Sequence, residues 1–142
     1  MIAILSPARN TRPPERETPA VTRPLFLSEA LQLVKLLRAY SPWQLESLLG
    51  VSPQLGLDAF ALARDFRADV AGSPALLAYQ GLAYWNLDPG SFSREDLLAA
   101  QERLRILSAL YGVLRPLDGI SPHRLDFLAK IRPEGKSLYR WW

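Results

Sequence analysis

A chain of 142 residues, 49% hydrophobic and 22% charged, has the size and balance of one globular domain, which excludes a disordered chain and two independent cores. No apolar run approaches the roughly 18 to 20 residues of a membrane-crossing helix, and Met1-Ile2-Ala3-Ile4-Leu5 lacks a basic leader, so neither membrane insertion nor export is expected and a cytoplasmic location is. The absence of cysteine excludes disulfides and thiolate metal sites, and the net charge of +3 is unevenly placed: residues 103–142 carry eight Lys/Arg against three Asp/Glu, and residues 1–102 carry nine against eleven.

Ile2 to Leu5 is too short for a helix and stops at Ser6-Pro7, so it reads as a buried strand. Thr11 to Pro24, with four prolines, reads as an extended connector. From Ser28 to Tyr40 the apolar residues Leu31, Val34 and Leu37, backed by Leu33, Leu36 and Tyr40, recur at helical spacing. Ser41-Pro42-Trp43-Gln44 then combines a capping hydroxyl, a first-turn proline and a reciprocating glutamine, which starts a short second helix ending at Gly50. Ser52-Pro53 repeats the start signal, and Leu55, Ala59, Phe60, Ala63 and Phe66 share the face of a third helix.

Ala75 to Tyr79, bounded by Gly72-Ser73-Pro74 and Gly81, is a short apolar run expected to be a core strand, followed by a turn-rich patch from Asn86 to Ser91. Ser93-Arg94-Glu95-Asp96 caps what the spacing of Leu97, Ala100, Leu104, Leu107 and Tyr111 predicts to be the longest helix, stopping at Gly112. Pro116, Pro122 and Pro133 break the remainder into short irregular pieces. Trp141 and Trp142 are expected to be exposed and covered by a partner or by a C-terminal continuation.

Two features point to a polyanion. Cations clustered toward the C-terminal end gain from releasing counterions condensed on phosphate. The segment Leu49 to Gly56 has the hydrophobe-glycine-hydrophobe turn of a helix-hairpin-helix, and Gly50, Val51, Ser52 and Gln54 would offer unpaired backbone N–H groups at a helix N-terminus. An ordinary helical corner has the same pattern, and Gln54 stands where a cation would strengthen the phosphate reading. Arg9, Arg12, Arg105, Arg115, Arg124 and Lys136, with Arg140, are the cations placed along the same groove, although Arg115 is equally suited to pin its own loop through Asp118. His123 is the sole histidine, so no metal site and no cofactor are assigned; Ser6 and Ser108 have no assignable base, so no catalytic residue is named. Trp43, Trp85, Trp141 and Trp142 suit core or interface packing, or stacking on the bases of an opened strand.

The run from Leu104 to Asp118, Leu-Arg-Ile-Leu-Ser-Ala-Leu-Tyr-Gly-Val-Leu-Arg-Pro-Leu-Asp, resembles the characteristic helix-and-loop segment of the YaaA family of bacterial peroxide-stress proteins. Ile4-Leu5-Ser6-Pro7-Ala8-Arg9, Pro122-His123-Arg124-Leu125 and Gly135-Lys136-Ser137-Leu138-Tyr139 are similar to further family segments in the same order. Arg9-Asn10 stands where the family has Lys-Thr, and Tyr79-Gln80-Gly81-Leu82-Ala83-Tyr84 where it has Phe-Lys-Gly-Asp-Val-Tyr.

The resemblance implies a protein of the oxidative stress response that binds double-stranded DNA through a basic cleft and a helix-hairpin-helix, and that limits iron-dependent damage indirectly. It covers all of this chain but about the first half of a typical member. The expected architecture is therefore one α+β domain over residues 1–142, helix-rich with a small sheet and a helix-hairpin-helix-like element, forming the N-terminal portion of a longer fold. Two rival readings are an interaction module docking through Trp141 and Trp142, and a small-molecule enzyme with a cleft near Ser6, Arg9, Arg115 and Asp118.

Overall fold

The computed structural model describes residues 1–142. In chain order, Ala3–Leu5 (β1) and Asn10–Thr11 (β2) precede three helices, Leu27–Arg38 (α1), Pro42–Leu49 (α2) and Pro53–Asp65 (α3). Ser73–Pro74 (β3), Ala75–Ala78 (α4), Tyr79–Gln80 (β4) and Leu82–Leu87 (α5) follow. Arg94–Arg103 (α6), Leu104–Ser108 (β5), Gly112–Leu114 (β6), Gly119–Ile120 (β7) and Leu138–Trp141 (α7) end the order. The result is the expected helix-rich α+β domain, but its strands are distributed differently from the reading above.

The sheet has the order β1-β5-β6, with β5 parallel to β1 and antiparallel to β6. Its central strand lies inside the segment read as the longest helix. Ser93 does cap that helix: Ser93 Oγ accepts from Asp96 N (3.0 Å), and Asp96 Oδ2 accepts from Ser93 N (2.9 Å). The helix nevertheless stops at Arg103, and Leu104 is extended at φ −110°, ψ 147°. Beyond it, Leu104, Arg105 and Ile106 face Ala3, Ile4 and Leu5, while Ile106 and Ser108 face Leu114 and Gly112. Pairing on both sides outweighs a helical periodicity that a five-residue strand shares by chance.

Two further expectations are corrected. Ala75–Ala78 is one helical turn rather than a strand; all four residues are buried, and the ladders lie just outside it, where β3 pairs with β7 and β4 with β2. β1 is a strand but not a buried one, because it lies at the sheet edge and Ile4 is 64% exposed. In α1 the buried face runs through Ala30, Leu33, Val34 and Leu37, and Leu31 turns outward.

The three-helix unit is built as its capping signals require. Ser41 Oγ accepts from Gln44 N at 3.2 Å, and Gln44 Oε1 accepts from Ser41 N at 2.9 Å. Ser52 Oγ accepts from Leu55 N at 3.3 Å. At the crossing of α2 and α3 stands Gly56, where a Cβ would lie 2.9 Å from both Glu46 Cβ and Pro42 O. From the end of α1, Arg38 donates to the carbonyls of Ala63 (2.8 Å) and Phe66 (2.7 Å), closing the C-terminal end of α3 with a cation. Leu33, Leu45, Leu76, Leu97, Ile106 and Leu114 are fully buried in a core shared by helices and sheet. No helix is long and apolar enough to cross a membrane.

Candidate nucleic-acid interface

The connection between α2 and α3 is three residues long, Gly50-Val51-Ser52. Gly50 is left-handed at φ +64°, which lets Val51 N donate to Glu46 O (3.1 Å) and Gly50 N to Ser47 O (3.3 Å), so these two N–H groups, expected to be unpaired, are instead spent on closing the C-terminal end of α2. Residues 124–130 are fastened beside this turn. Leu125 is buried, and Lys130 N donates to Leu48 O at 2.8 Å. The segment after β1 arrives from the other side, with Arg9 Nε 3.3 Å from Asp126 Oδ2 and Arg124 Nη2 donating to Asn10 Oδ1 at 2.7 Å.

These pieces enclose a cleft of about 500 Å³ lined by Gly50, Val51 and Ser52 together with Arg9, Arg124, Lys130 and Asp126. Three cations face it against one carboxylate, and that carboxylate leaves the Arg9 side chain 65% exposed. Five of the residues singled out from the sequence, Arg9, Gly50, Val51, Ser52 and Arg124, therefore meet at one place. Lys130 joins them and was missed; in the sequence it is one more lysine of an irregular stretch, and only its backbone bond to the end of α2 brings it here.

The other candidates lie elsewhere. Gln54 donates to Asp58 Oδ1 at 3.2 Å, one turn along its own helix. Arg12 donates to Gln80 Oε1 at 3.3 Å, beside a second cleft. Arg105 turns back on α6 and donates to the carbonyls of Gln101 (3.0 Å) and Leu104 (2.6 Å), so its charge sits at the negative end of that helix. Lys136 is 4.0 Å from Glu134.

Arg115 takes the loop-pinning role. Its Nε and Nη2 donate to Asp118 Oδ1 at 3.2 and 2.9 Å, and its backbone N donates to Asp118 Oδ2 at 2.7 Å. Thr22 Oγ1 donates to Asp118 Oδ1 at 2.6 Å, and Gln101 Oε1 accepts from Leu117 N at 2.7 Å. Asp118 has no exposed surface, and its acceptor sites are filled from three directions. Asp118 and Asp126 are each paired with a different arginine, Arg115 and Arg9.

His123 is buried between aromatic rings, edge-on to Tyr79 and to Tyr111. Its Nδ1 is 2.8 Å from Ser121 O and its Nε2 is 3.2 Å from Tyr79 Oη. A carbonyl only accepts, so Nδ1 carries the proton and Nε2 is left as the acceptor. The Tyr79 hydroxyl also bonds Ser108 Oγ at 2.9 Å, and Ser108 Oγ accepts from Tyr111 N at 3.1 Å. Burial pushes the histidine down to about 4 and the Tyr111 phenol up to about 12, so both are neutral at pH 7.

The terminal tryptophans are half-buried rather than exposed. Trp142 Nε1 donates to Ala109 O at 2.8 Å, and its ring meets Phe26 edge-on at 5.8 Å. The same ring covers Gly112, which has φ +74° and where a Cβ would come within 2.7 Å of it.

The family model described as peroxide stress protein YaaA matches residues 1–142. A UPF0246 protein of Idiomarina loihiensis is 44% identical over 149 residues, covering 100% of this chain and 57% of that relative. The UPF0246 proteins of Hahella chejuensis and Roseobacter denitrificans are 40% and 39% identical, again over 100% of this chain, and over 57% and 56% of their own lengths. The chain thus spans a little over half the length of the curated relatives it matches.

Proposed function

The chain belongs to the YaaA family of peroxide stress proteins, and from that premise we propose that it associates with duplex or distorted DNA during peroxide stress. It holds the sugar-phosphate backbone and limits iron-dependent damage indirectly, by covering DNA. The observation that carries this reading is the joining of Arg9, Arg124 and Lys130 with the Gly50-Val51-Ser52 turn around one cleft. A phosphate there meets guanidinium forks from two segments and the N-terminal end of α3, a combination that holds a backbone without reading a base. The helix-hairpin-helix-like turn and the basic last third of the sequence act in the same direction.

A fluorescently labelled duplex titrated at rising salt tests the reading. Three phosphates neutralised at the cleft give a log–log slope of about −3, from roughly −0.9 per phosphate on duplex DNA. The expected result is binding at low salt that weakens along that slope. No binding at low salt, or binding indifferent to salt, refutes it.

A further inference from the structure

A second cleft, of about 360 Å³, lies between the connector after β2 and helix α5, and its rim carries an exposed aromatic ring held in place. Trp85 is 64% exposed, yet its indole N–H donates to Gln80 Oε1 at 3.2 Å. Arg12 Nη2 donates to the same oxygen at 3.3 Å. Gln80 lies on β4 and Arg12 directly follows its partner β2: Asn10 and Thr11 pair with Gln80 and Tyr79, and Arg12 N donates to Ala78 O at 2.8 Å. One amide oxygen on a fixed ladder thus orients a flat ring and a guanidinium toward the same opening.

The charge at this cleft separates it from the first. Arg12 and Arg16 are balanced by Glu15 and Asp88. Arg16 is committed besides, donating to the carbonyls of Glu17 (3.1 Å), Gly90 (3.1 Å) and Phe92 (2.6 Å). A run of phosphates gains little here. A flat, uncharged ring system gains a stacking surface, with one guanidinium left for a single phosphate attached to it.

We propose that this cleft takes an unpaired nucleobase, stacked on Trp85 with its own phosphate on Arg12. The proposal rests on the DNA reading above and extends it. β2 leads from Arg9 at the first cleft to Arg12 at the second, a step of three residues or about 10 Å of extended chain. A strand whose backbone lies across Arg9, Arg124 and Lys130 has this ring within reach of a base that leaves the helix.

Two probes separate the two clefts: a fluorescein-labelled intact duplex, and a twelve-residue single-stranded thymidine oligonucleotide followed by tryptophan fluorescence. In the parent protein the oligonucleotide quenches fluorescence on binding. Trp85→Leu, a change at an exposed side chain, removes that quenching and weakens oligonucleotide binding about 5- to 150-fold, while duplex affinity stays unchanged. Retention of both quenching and affinity by the variant overturns the base site while leaving duplex binding standing. Quenching lost in the variant with no duplex binding by the parent keeps the base site and overturns the phosphate groove. Should neither probe bind, both readings fall.

Discussion

Truncating Arg115 to alanine removes the cation that compensates Asp118, a carboxylate with no exposed surface. The carboxylate keeps Thr22 Oγ1 and the Arg115 backbone N as donors, and the arginine side chain is itself 29% exposed, so a loss of about 1 to 3 kcal/mol in urea unfolding is expected. An unchanged midpoint would show that Asp118 is stable there without its cation. His123 gives a pH dependence whose sign follows from its lowered value. The unfolded chain binds a proton near pH 6.5, whereas the buried imidazole resists until about 4. Stability is therefore full above pH 6.5, falls as the pH drops through that window, and stops falling on this account below about 4. By pH 5 the loss is roughly 2 kcal/mol. It is the only histidine, so unfolding free energies between pH 6.5 and 5 isolate it, and His123→Gln should flatten that stretch of the curve.

Among the elements, α2 and α3 position the Gly50-Val51-Ser52 turn at the first cleft, and their separation is set at Gly56. A methyl group there meets Pro42 O and Glu46 Cβ, neither of which moves without its helix, so Gly56→Ala is expected to cost about 1 to 3 kcal/mol and to lower the thermal midpoint. An unshifted midpoint would mean that the two helices part without cost. The starts of α2, α3 and α6 were legible in the sequence because capping is local: Ser41, Ser52 and Ser93 each find their partner three residues on. Strand β5 was not legible. Its partners are about a hundred residues upstream in β1 and a few residues downstream in β6, and Leu104 and Leu107 happen to continue the spacing of the preceding helix. Ala75–Ala78 was ambiguous for another reason, since four consecutive buried positions have no periodicity to read.

For the whole molecule the central question is where its positive charge is available. Counting cations in the final third pointed toward a polyanion, but the fold commits Arg115 to Asp118 and Arg105 to the end of α6. The positive charge at the first cleft is assembled from distant pieces, Arg9 from the first turn and Arg124 and Lys130 from the last third, around a turn contributed by the middle. Arg9 and Arg124 were named from the sequence, yet their meeting was not readable, because it depends on Arg124 reaching Asn10 and Lys130 hanging from Leu48. The most direct measurement is the salt dependence of duplex binding for four single variants. Arg9→Ala, Arg124→Ala and Lys130→Ala should each lower the log–log slope by about one, while Arg105→Ala leaves it where it was. Equal slopes for all four, or a slope that changes only with Arg105→Ala, would contradict the placement of the phosphate groove.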